Sequence, residues 1–379
     1  MTAEPIPANI PAVPRFPVDF GSLRNMLEYR FSLLDAYVDV NGVPTFVVAD
    51  EPMKAKFREL LGDLANHGLI AKIRRVPGKL VISIYPKPRL GRPRRKINLL
   101  LFLASVISVG IASYLSIFTI DPRLASFMFE NLSASDQMIA LAAGILSIIG
   151  LHELGHVVAV RHHKMDATLP YFIPGPPPFG TFGAVISLRG PPANRDQLFD
   201  LGFSGPLTGF VVMLVVAIIA ILISPSITSH QATQLFADNL LQSASWPNVP
   251  YFLELLAQSG LRSIPSGQTL VWSQVEFAAE IGALVTFLNL LPVWQLDGGH
   301  IVRATLGDRG HKATAIIAFA ILVFAGYWAF ALLLLAFMFL SRRPLEGLEP
   351  LDDISPLSSS RKALFALALV MLGLTFVIL

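Results

Sequence analysis

His152-Glu153-Leu154-Gly155-His156 sets two imidazoles and a carboxylate within five consecutive residues. On a helix, residues four apart stand on one face, one turn above the other, so both imidazoles reach a single cation. Glu153 lies beside the first of them, placed to take a proton from metal-bound water rather than to hold the metal. The cation that suits this chemistry is zinc, which lowers the pKa of its water and polarises a carbonyl. The stretch around the motif, 137–160, has no other charged residue and is long enough to span a bilayer. A lone buried histidine is usually a satisfied core residue. Two histidines and a glutamate on one apolar turn each need a partner, and ionisable groups at that depth tend to mark function.

A catalytic zinc takes three protein ligands and keeps a fourth position open. The third is expected from Asp297, in the run NLLPVWQLDGGH at 289–300. Pro292 and Gly298-Gly299 are expected to break the helix there and free the backbone to turn the carboxylate inward. Two other readings stand beside it: Asp297 as a helix-end charge, and His300 as the competing ligand. Asn289 precedes Asp297 by a little over two helical turns, so both can face one cleft. An amide donor near a developing oxyanion contributes about 3–4 kcal/mol; the alternative is a hydrogen bond between helices. His162 and His163, flanked by Arg161 and Lys164, fit a membrane interface better than a metal site. With Arg161 at that interface, a rise of about 1.5 Å per residue puts His156 roughly 8 Å and His152 roughly 14 Å deep.

The elements that must carry these groups are apolar. The chain is 53% hydrophobic and 15% charged over 379 residues, against about 45–50% and 25% in soluble domains. It has no cysteine, which excludes disulfides and thiolate-ligated metal. The net charge of +3 reflects basic residues beside apolar segments, so topology explains it and nucleic acid is not an expected partner.

Six apolar segments, near 97–120, 137–160, 198–223, 271–296, 313–340 and 363–379, approach the ~20 residues of a span. With the N-terminus inside, Arg161, Lys164, Arg189, Arg195, Arg303, Arg309 and Lys312 fall on the internal side, as positive charges prefer. Residues 341–362 break the pattern, because six spans put Arg342, Arg343, Arg361 and Lys362 outside. A bend near Gly326 that makes 313–340 a re-entrant pair would remove the conflict. The expected fold is a polytopic α-helical membrane protein of about six transmembrane helices with a small N-terminal α+β cytosolic domain.

Ahead of the spans, 1–18 reads as a Pro-rich flexible arm, and Met1 to Phe20 lacks the basic and apolar regions of a signal peptide. Residues 19–86 read as a small soluble α+β domain. Leu23–Leu34 and Glu51–Ala65 have helical periodicity, and hairpins are expected to turn at Asn41-Gly42 and Pro77-Gly78. A basic juxtamembrane linker, 87–96, leads into the expected core, 97–340; a linker and C-terminal transmembrane helix fill 341–379. Between the second and third spans, 169–183 is too rich in Pro and Gly for a helix, and Ala184–Leu188 reads as a strand. That loop is expected to dip into the membrane and pair its strand edge with substrate, the alternative being an ordinary apolar loop. Gly205 and Gly209 have the small-xxx-small spacing of closely packed helices.

The pairing of His152-Glu153-x-x-His156 in one span with Asn289 and Leu296-Asp297-Gly298 in a later one resembles the site-2 protease family of intramembrane zinc metalloproteases, over roughly 97–340. The resemblance implies that His152, His156 and Asp297 hold one zinc ion, that Glu153 activates water, and that Asn289 binds substrate or stabilises the oxyanion. It is nearest the branch with a soluble N-terminal domain and no PDZ insertion, which includes the chloroplast-type members. The expected function is cleavage of transmembrane protein or peptide substrates near the cytosolic face of a lipid bilayer, by a multi-pass protein of the cell membrane. The alternative is a metal-binding membrane transporter or sensor without hydrolysis.

Overall fold

The computed structural model describes residues 16–87, 95–241, 247, 249–340 and 347–378. Most of the Pro-rich arm, most of the basic linker and the pair Arg342-Arg343 lie outside the described residues. The chain divides into two units.

In the first unit, Leu23 and Leu27 line one face of α1 (Phe20–Glu28), which starts where the Asp19 carboxylate accepts the Ser22 N–H at 2.9 Å. Strands β1 (Leu33–Val38) and β2 (Pro44–Val48) form the first expected hairpin, with Gly42 at φ 76° in the turn. Helix α2 (Lys54–Asn66) buries Phe57, Leu60 and Leu64, and β3 (Leu69–Val76) and β4 (Lys79–Pro86) alternate apolar residues toward it. The antiparallel sheet runs β1-β2-β4-β3. Leu33 and Leu34, expected at the end of the first helix, instead open β1, because the helix stops at Glu28.

The unit is larger than the stretch 19–86, since 190–195 and 349–356 belong to it. Ile73 donates its N–H to the Leu351 carbonyl at 3.0 Å, and Leu351 and Asp352 donate to Pro192 and Ala193 at 2.8 and 2.9 Å. These segments cover the otherwise free edge of β3, and Leu351 joins the core.

The second unit is mostly helical. Among the described residues, three helices are long and apolar enough to cross a membrane: α3 (Arg95–Phe118), α5 (Ala134–His162) and α6 (Arg195–Ile223), with mean hydropathies of 2.1, 1.8 and 2.9. A short helix, α4 (Pro122–Met128), links the first two. After α5 come β5 (Tyr171–Pro174) and β6 (Thr181–Val185), an antiparallel hairpin. The strand thus begins three residues before its expected start at Ala184, because it pairs with β5 from Thr181 onward. Asn98 on α3 donates to the Leu169 and Pro170 carbonyls at 2.9 Å each, and Ser108 bonds the Gly180 carbonyl, so the hairpin lies along α3.

Beyond α6, β7 (Ser226–Thr228) pairs with β8 (Gln268–Leu270) around α7 (Ser229–Ala237) and α8 (Tyr251–Gln258). Helix α9 (Val275–Leu290) has 16 residues, fewer than the expected segment 271–296. Helix α10 (Asp297–Phe324) is interrupted at Gly307, and α11 (Trp328–Leu340) follows a break in which Gly326 takes φ 89°. Helix α12 (Ser359–Thr375) is the last. One core joins α5, α6 and α9 through Ile145, Ile148, Phe203, Met213 and Ala278.

Candidate metal centre

Helix α5 presents His152 and His156 one turn apart, and the N-terminus of α10 brings Asp297 to them. Asp297 Oδ2 lies 3.3 Å from Nε2 of each histidine, and the two Nε2 atoms are 3.2 Å apart. Both histidines are buried, and Asp297 is mostly so. Donors around a tetrahedral zinc at about 2.0–2.1 Å stand roughly 3.3–3.4 Å from one another. The triangle here has that size and offers the nitrogen and oxygen donors that zinc takes, so the three residues fit a metal ion.

Orientation comes from the neighbours. His156 Nδ1 donates to the Leu201 carbonyl of α6 at 2.8 Å, which leaves Nε2 as the free donor atom facing the triangle. Helix α6 approaches α5 this closely because glycines face the imidazoles: a Cβ at Gly205 would lie 2.1 Å from His156 Nε2, and one at Gly209 3.0 Å from His152 Nδ1. The pair sits well inside α6 and packs it on the histidine face of α5.

Helix α9 ends at Leu290, and Leu291 is extended ahead of Pro292, so the helix breaks where proline was expected to break it. The two glycines act otherwise. Gly298 and Gly299 lie in the first turn of α10, where Cβ atoms would meet the Leu290 and Trp294 carbonyls at 1.9 and 2.4 Å. They permit close packing of the new helix rather than ending the old one.

Asn289 and Glu153 lie beside this triangle. Asn289 Nδ2 is 3.4 Å from His152 Nε2. Glu153 is buried beside the histidines, outside the group of three. His300 is not in the group, and its Nδ1 is buried without a hydrogen bond among the described residues. His163 bonds Asp200 at 2.7 Å, and Arg361 of α12 bonds the same carboxylate, away from the triangle. The Leu201 carbonyl went unseen in the sequence, since every residue carries such a group. Asp200 showed only as a charge early in an apolar segment.

The family model for Peptidase family M50 matches residues 140–335, more than half of the chain. The chain belongs to that family. The likeness to site-2 proteases read from its motifs is therefore membership, and with three candidate spans this M50 chain is a membrane protein. The probable chloroplastic zinc metalloprotease EGY2 of Oryza sativa subsp. indica is 28% identical over 244 residues, 62% of this chain and 43% of the relative. The probable chloroplastic zinc metalloprotease EGY1 of Arabidopsis thaliana is 26% identical over 307 residues, 74% of this chain and 52% of the relative. The chain thus spans about half the length of the curated relatives it matches. No solved structure matches it.

Proposed function

We propose that this M50 chain is an intramembrane zinc metalloprotease that cleaves peptide bonds of transmembrane substrates near the cytosolic face. The observation that carries the reading is the triangle of His152, His156 and Asp297 with Glu153 beside it inside an apolar helix. Names of the relatives, zinc metalloproteases, support zinc as the ion. When bound, zinc supplies a Lewis acid that polarises a carbonyl and acidifies water.

The chain's own groups do the rest. His152, His156 and Asp297 hold the ion, and the Leu201 carbonyl keeps the His156 ring in place. Glu153 takes the proton from the attacking water and delivers it to the leaving amine. Asn289 offers its amide N–H to the carbonyl oxygen as negative charge develops there. The free edge of β6 binds the unwound substrate. Ile186 follows directly on β6, which ends at Val185, and continues the edge offered to substrate. Ile186→Pro removes one backbone donor just past the strand end, outside the pairs that β6 makes with β5. It is expected to lower cleavage at least tenfold with zinc content unchanged, measured by peptide cleavage and metal analysis; unchanged cleavage rejects the strand-edge role.

The N-terminal unit and the mouth of the site are assigned to the cytosolic side, in a multi-pass protein of the cell membrane. Arg361, at the start of α12, pairs with Asp196 and Asp200 at the start of α6. That contact supports an internal position for Arg361 and Lys362. It favours the reading of 313–340 as a helix pair that bends about Gly326 and begins and ends inside.

The test is a purified full chain in lipid vesicles with a transmembrane peptide. Cleavage is expected, to disappear on chelation and to return with zinc. A chain that holds zinc and cleaves no such peptide is instead a metal-binding membrane protein without hydrolysis.

A further inference from the structure

Asp297 follows directly on the linker 291–296, which two backbone hydrogen bonds hold. Val293 donates to the Leu291 carbonyl at 2.7 Å and Leu296 to the Val293 carbonyl at 3.1 Å. Between them Trp294 adopts φ 47°, the left-handed region, which a bulky residue rarely enters. Such a conformation persists only where the surroundings over-determine it.

Two groups close on the Trp294 carbonyl. From one side comes Gly299, at which a Cβ would lie 2.4 Å from that oxygen. On the other is His311, whose Nε2 stands 3.2 Å from it. An unbroken helix would carry His311 about 21 Å along its axis from Asp297. Gly307, at φ 74° and ψ −171°, interrupts α10 and brings His311 back to the linker. The ring is fully buried, and its Nδ1 has no hydrogen bond among the described residues. A leucine would fill similar space without desolvating an imidazole. What the histidine adds is a donor on the Trp294 carbonyl.

We propose that His311 is a positioning residue for the metal centre: its Nε2–H, donated to the Trp294 carbonyl, holds the linker in the shape that aims Asp297 at His152 and His156. Its described hydrogen bond runs to the linker and not to a metal ligand, and the inference rests on the reading of Asp297 as a ligand.

Cobalt(II), which occupies zinc sites and absorbs in the visible, tests both statements. The purified full chain, Asp297→Ala, His311→Leu and His311→Gln are titrated with cobalt, and affinity and spectrum are recorded. His311→Leu is expected to bind about 10- to 100-fold more weakly, the usual cost of losing an outer partner of a metal ligand. Its spectrum should differ from wild type. His311→Gln, whose amide can donate to the same carbonyl, is expected to recover most of both. Wild-type affinity and spectrum in His311→Leu overturn the proposal, as does a glutamine form no better than leucine. Should the leucine form not fold, His311→Asn replaces it: weaker binding than the glutamine form supports the proposal, and equal binding overturns it. Asp297→Ala binding cobalt as wild type does, or no binding by wild type, removes the ligand reading itself.

Discussion

Glu153→Gln is expected to lower cleavage by about 10²–10⁴-fold, the usual worth of a positioned proton carrier, while the purified protein keeps its zinc. The two halves of the result have separate causes. Glutamine has the size and shape of glutamate, so it fills the same buried place beside the histidines. It cannot carry the proton from water to the leaving amine. At about 1.4 kcal/mol per tenfold, the loss corresponds to roughly 3–5 kcal/mol of barrier. Zinc stays because Glu153 is outside the group of three donors. Peptide cleavage and metal analysis on the same preparation read both quantities. Cleavage within a few-fold of wild type would remove Glu153 from the chemistry, and loss of zinc would make it a ligand.

Asp297→Ala should behave in the opposite way, losing metal and cleavage together. The carboxylate sits 3.3 Å from both imidazole nitrogens, so its removal leaves two donors on one turn of one helix. Two imidazoles four residues apart offer only part of a tetrahedral site. Metal affinity is expected to fall by more than the 10–100-fold typical of losing an outer partner. Stability gives a second readout. Zinc at about 100 times its dissociation constant stabilises a protein that binds it only when folded by about 2.7 kcal/mol. Wild type should therefore melt at a higher temperature with zinc, and Asp297→Ala should show no shift at the same concentration. A zinc-dependent shift that survives the substitution would rule Asp297 out as a ligand.

Much of this centre was legible because covalent spacing alone puts side chains on one helix face. His152 and His156 must align on any helix, and the apolar stretch around them makes a helix the expected state. The hairpins of the N-terminal unit were legible for a similar reason, since Asn41-Gly42 and Pro77-Gly78 specify turns locally. The loop after α5 was seen not to be helical, yet its strand began at Thr181, because a strand's limits depend on its partner.

By itself, then, the chain of residues determined which donors exist, which helix carries two of them, and that this helix is apolar enough for a bilayer. Packing alone decided the rest. It brought Asp297 within 3.3 Å of histidines more than a hundred residues away, and it set the Leu201 carbonyl behind His156. It also drew 190–195 and 349–356 into the N-terminal unit and seated Arg361 on Asp200. The physical reason is that spacing along a backbone constrains neighbours within a turn or a hairpin. Contacts between distant segments depend on how whole helices pack, and the backbone groups they use are common to every residue.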